Sequence, residues 1–76
     1  MNKARRATLN RIINALTELK DDLEVVKDEE EEAMDNMPES LQESDRYERM
    51  EDAVDSMDDA YSSIEDAIDM LESAME

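Results

Sequence analysis

In the second half of the chain the large apolar side chains fall at Tyr47, Met50, Val54, Met57, Tyr61, Ile64, Ile68, Leu71 and Met75, alternately three and four residues apart. That alternation keeps one stripe on one side of an α-helix and is the signature of a heptad seam. In the first half it runs Leu9, Ile12, Leu16, Leu19, Leu23, Val26, Glu30, Ala33, Met37, with Glu30 the one interruption. Between the stripes lies "DNMPESLQES", with Pro38, a capping-box spacing at Ser40 and Glu43, and a second N-cap candidate at Ser44. The pattern predicts helix 1 over about residues 3–35, a connection over about 36–43 and helix 2 over about 44–75, Ser40 being the alternative start. Equal lengths and a short link favour an antiparallel hairpin.

Such a hairpin requires that facing residues have numbers with a constant total. Leu9 with Leu71, Ile12 with Ile68, Leu16 with Ile64, Leu19 with Tyr61, Leu23 with Met57, Val26 with Val54 and Ala33 with Tyr47 all total 80. The same alignment brings Arg6 near Glu72, Lys20 near Asp58 and Lys27 near Glu51. Exposed pairs of this kind contribute about 0.5 kcal/mol each, enough to select an orientation. Glu30 falls opposite Met50 with Arg46 and Arg49 in reach, which reads as a local ion pair rather than a catalytic carboxylate.

Composition narrows the picture to a single all-α domain over residues 1–76. The absence of Cys and His excludes disulfides, zinc sites, thiol nucleophiles and imidazole acid/base chemistry. The absence of Gly excludes phosphate-cradling loops and the usual calcium loop. No cofactor is expected and no enzyme activity. A two-helix layer buries too little to offset about 1.5 kcal/mol of ordering entropy per residue, so self-association is expected, most simply a homodimer of hairpins forming a four-helix bundle. The expected contact is the row Ala53, Ala60, Ala67 and Ala74 with Ala15, joined by Ile13 and Met70, which lie off the narrow seam along with Val25 and Met34. Met50 and Met57 read as core, and Met34, Met37 and Met70 as an adaptable surface.

Net charge is −16, unevenly spread: residues 1–20 carry +4 and the remaining 56 carry −20. The basic start is expected to neutralise the acidic end of helix 2, not to serve as a targeting peptide or a membrane-surface helix, and no apolar run reaches the ~20 residues of a membrane span. Outward heptad positions hold Asp21, Glu24, Asp28, Glu31 and Asp35 on helix 1 and Asp52, Asp55, Asp59, Asp66 and Asp69 on helix 2. The run Asp28 to Glu32 offers loose divalent association but no dedicated metal site. Carboxylates one helical turn apart lie about 5 to 6 Å from each other, near the spacing of phosphates along a strand. The charge repels nucleic acid and attracts a basic protein partner, so the expected function is a non-enzymatic acidic decoy for a nucleic-acid-binding site. The alternative is a structural assembly module in which charge confers only solubility.

The segment "DNMPESLQESDRYERMEDAVDSMDDAYSSIEDAIDMLESA", with the opening "MNKARRATLNRIINALTELKDDLEVVKDEEEEA", resembles a group of short acidic proteins of phages and mobile elements of gut-type bacteria. The likeness covers nearly the whole chain, and its most specific part is "PESLQES" followed by Arg and an acidic heptad. It brings no site residue with it. What it implies is a bacterial or phage-infected cytoplasm and a place among small antagonists of host defence, of the anti-CRISPR or anti-restriction kind.

Overall fold

The computed structural model describes residues 1–76, and its helices begin and end where local hydrogen bonding dictates. The first, α1, spans Lys3–Asp35; its N-cap is Asn2, whose Oδ1 accepts from the Arg5 N–H at 2.8 Å. At its end the Asn36 N–H donates to the Glu32 carbonyl at 3.0 Å, and Pro38 follows, unable to continue a helix. A single 3₁₀ turn at Glu39–Leu41 carries the chain around, with the Gln42 amide donating back to the Met37 carbonyl at 3.2 Å. The second helix, α2, spans Asp45–Ala74 and is capped by Ser44, whose Oγ accepts from the Tyr47 N–H at 3.3 Å. Asp45 and Glu48 in its first turn suit the positive end of its macrodipole. There is no strand, and the two helices pack on each other as an all-α hairpin with Cα extents of 59 × 15 × 13 Å.

Along α2 the inward row is the expected one: Tyr47, Met50, Val54, Met57, Tyr61, Ile64, Ile68, Leu71 and Met75 are all buried or half-buried. Along α1 it is not. Leu9, Leu16, Leu23, Glu30 and Met37 face inward as expected, but the positions between them are Ile13, Lys20, Lys27 and Met34 in place of Ile12, Leu19, Val26 and Ala33. Ile13 is 8% exposed, whereas Ile12, Leu19 and Val26 are 41%, 58% and 52% exposed. The helix is therefore rolled about its axis relative to the expected seam.

The register moves with the roll. Lys20 contacts Glu65, Lys27 contacts Asp58 and Glu24 contacts Tyr61, pairs that each total 85, where the expected flanking pairs total 78. Each lysine meets the acid seven residues beyond the one anticipated, Glu65 in place of Asp58 and Asp58 in place of Glu51. The physical reason is that the apolar arc of α1 is wider than one seam. It takes in Ile12 and Ile13, Leu16, Leu19, Leu23 and Val26, and a single partner helix covers only part of it. The part chosen lets the Lys20 and Lys27 stems lie along the seam while their ammonium groups reach acids on α2.

With this register the first residues of α1 run past the end of α2. Residues 1–8 are all exposed, and the expected approach of Arg6 to Glu72 gives no ion pair. Arg46 and Arg49 form none with Glu30 either. Only Ile13, Met34, Val54 and Ile68 are buried, which makes each of them count. Ile13→Ala is expected to lower the unfolding free energy by about 2 kcal/mol, read from urea denaturation followed by helical circular dichroism. A loss below about 0.5 kcal/mol, the range of ordinary surface changes, would mean that Ile13 lies outside the seam.

Candidate functional site

The two edges of the hairpin differ in kind. On one, a polar ladder crosses between the helices near their middle. The Lys27 ammonium donates to the Asp58 carboxylate at 2.8 Å and lies 3.8 Å from Glu31 one turn away. The Tyr61 hydroxyl donates to the Glu24 carboxylate at 3.0 Å. The Lys20 ammonium sits 5.4 Å from the centre of the Tyr61 ring and 3.9 Å from Glu65. Lysines at two inward positions seven residues apart thus each find an acid across the interface, and the tyrosine between them gives its ring to one lysine and its hydroxyl to an acid.

The ladder perturbs its own titrations. Lys27 is raised from its ordinary value, chiefly by the hydrogen bond to Asp58, with the Asp58, Glu31 and Asp28 charges adding and partial desolvation opposing. Tyr61 is raised by the hydrogen bond to Glu24, then by desolvation and by the charges of Glu24, Glu65 and Asp21. Both shifts favour the protonated form.

Of the acids expected on a partner-binding face, Asp21, Asp28 and Asp35 on α1 and Asp52, Asp55, Asp59, Asp66 and Asp69 on α2 are exposed and take part in no ion pair. Glu24 and Glu31 are drawn into the ladder, one by Tyr61 and the other by Lys27. No group of acidic side chains converges to hold a metal ion, and the surface has no cavity.

The opposite edge is apolar. The helical period places Ile12, Ala15, Leu19 and Val26 on α1, and Ala53, Ala60, Ala67 and Ala74 on α2, on the side of the seam away from the ladder. Ala15, Ala53, Ala60 and Ala74 are exposed and Ala67 is half-buried. Met70, 71% exposed, lies at the outer margin of this edge. Ile13, expected to join a self-association surface, is a correction: it is enclosed within its own hairpin because the roll of α1 turns it toward α2. Met34, expected to stay wet, is buried for the same reason. Ile12, Leu19 and Val26 take their place on the surface. The sequence signal for them was present as excess width of the apolar arc, but assigning them to the seam concealed it.

Compared with models of protein families, with curated proteins and with solved structures, the chain shows no match. No helix is long and apolar enough to cross a membrane. The ladder gives a prediction in alkaline solution. Because both folded-state values are raised, the stability contributed by Lys27 and Tyr61 is fully present below their ordinary values of 10.5 and 10.0 and is lost as pH rises through the higher folded values. The thermal midpoint is expected to fall from about pH 10 upward, and the double variant Lys27→Gln/Tyr61→Phe to start lower and fall less steeply. Parallel curves for the two proteins would contradict this account.

Proposed function

We propose that the protein is a non-enzymatic acidic binding protein that occupies a basic, nucleic-acid-binding site on another protein. The observation that carries this reading is the set of eight unpaired, exposed aspartates at 21, 28, 35, 52, 55, 59, 66 and 69, displayed on a stiff hairpin. Aspartate is a short side chain, so the charges stay close to the helix surface and their spacing is set by the backbone. Spread over the long dimension of 59 Å, the net charge of −16 amounts to one negative charge per about 3.7 Å. A single nucleic-acid strand carries one per about 3.4 Å of axis and a duplex one per about 1.7 Å, so the acidic face of each hairpin matches one strand. A groove lined with Lys and Arg for a single-stranded segment is the fitting target class, and such attraction is long-ranged and sensitive to salt. A target in a host's nucleic-acid-handling machinery, of the kind that anti-CRISPR or anti-restriction proteins block, is what the resemblance read from the sequence would imply. A bacterial or phage-infected cytoplasm is the setting this reading requires.

The test is charge reversal away from the ladder. Asp52, Asp55, Asp59 and Asp66 changed together to Lys are expected to leave helicity intact while weakening capture of single-strand-binding proteins from a host lysate at least tenfold. Wild-type capture is expected to fall steeply as salt rises from about 50 to about 200 mM, as for other charge-driven contacts. Retained capture by the reversed variant would eliminate the decoy reading and leave assembly through the apolar edge as the function.

A further inference from the structure

The apolar edge and the distribution of charge along α1 together define a self-complementary surface. Leu19 stands at the midpoint of α1, which runs Lys3–Asp35, and is more exposed than Ile12 or Val26. Ile12 and Val26 lie seven residues to either side of it, so the apolar row is symmetric about Leu19. The charge is antisymmetric about the same point: Lys3, Arg5, Arg6 and Arg11 occupy one end, and Asp28, Glu29, Glu30, Glu31, Glu32 and Asp35 the other. This arrangement opposes the helix's own macrodipole, since the first turn of α1 contains no acid and its last turn no base. None of the four basic residues forms an ion pair within the chain. The register also carries the first two turns of α1 beyond the end of α2, where an intramolecular partner is out of reach.

We infer that this edge binds a second copy of the chain about a two-fold axis through Leu19, with α1 of each copy antiparallel to α1 of the other. In that pairing Leu19 meets Leu19 and Ile12 meets Val26, and Arg5, two heptads before Leu19, is carried alongside the acidic end of the second copy's α1. Cations that oppose the dipole of their own helix then sit at the C-terminal end of a neighbouring one, where they are favourable. On α2 the same axis falls near Ala67, and the small side chains of Ala60, Ala67 and Ala74 let the second pair of helices approach closely. The two hairpins form an antiparallel four-helix bundle whose ladders and aspartates stay outside. The exposed area agrees with this: the chain presents 5732 Å², about 900 Å² more than the about 4,800 Å² expected of a folded monomer of 8.8 kDa. A stable interface covers about 800 Å² per partner.

The chain has no cysteine, so single-cysteine variants report the geometry directly. Leu19→Cys, on the axis, is expected to oxidise to a covalent dimer with retained helicity, and the unmodified protein to sediment at twice 8.8 kDa. Val25→Cys, as exposed as Leu19 but on the far side of α1, is the control and is expected to cross-link at least tenfold more slowly. Arg5→Glu is expected to weaken the dimer severalfold, and Arg6→Glu, on the side of α1 away from Leu19, to weaken it far less. A monomeric wild-type mass, equal cross-linking at positions 19 and 25, or equal weakening by Arg5→Glu and Arg6→Glu would overturn the proposal. None of these readouts involves capture of a basic protein, so this inference and the proposed function can fail separately.

Discussion

The placement of every surface on this molecule follows from where Lys20 and Lys27 put their charges. Each occupies an inward position of α1 that a purely apolar seam would give to a hydrophobic residue, and burying an unpaired ammonium there would cost far more than the contact returns. The cost is avoided because the stems lie along the seam and the heads emerge at one edge, where Asp58, Glu65, Glu31 and the Tyr61 ring receive them. That requirement fixes the roll of α1. Once the roll is fixed, Ile13 and Met34 turn inward, Ile12, Leu19 and Val26 turn outward, and the register of the two helices is marked by the Lys20–Glu65, Lys27–Asp58 and Tyr61–Glu24 contacts.

The fold was legible in the sequence because periodicity and punctuation are local properties. Pro38 and Ser44 mark ends that each depend on a few neighbouring residues, and the Asn2 cap at the start of α1 is local in the same way though it was not read as one. The inward row of α2 was legible for the same reason, since that helix has a single narrow apolar stripe bordered by alanine and acid. The seam of α1 was not, because two apolar rows lie side by side there and the choice between them is made by lysine–acid contacts with residues some 30 to 45 positions away in the chain. A heptad count rewards the row with more hydrophobic residues, whereas the hairpin uses the row whose lysines can be neutralised. The acidic residues behave similarly: outward placement could be read for all ten, but that Glu24 and Glu31 belong to the ladder depended on the register.

The two edges are complementary in use. A hairpin with acids on every side would have no means of adding a second layer, and one with apolar residues on every side would associate without limit. Here the apolar row is confined to one edge and the unpaired aspartates lie away from it, so a second copy can cover the one without covering the other. Pairing at the apolar edge would leave both ladders and both sets of aspartates facing solvent, and would stiffen the scaffold on which the charges are spaced.

The tie between the helices is also unevenly distributed along the rod. The link closes one end covalently, the ladder holds the middle, and nothing beyond Leu9 and Met75 joins the far end. Bringing two segments together costs more entropy the longer the loop between them, so contacts next to the link form at least cost and those at the termini at most. The chain is built to close like a zip from Pro38 outward and to open from the other end. Fraying there would first release the stretch around Met70 to Met75 and the basic turns before Leu9, making the paired ends of the chain, and not the connection, the place where a protease gains entry.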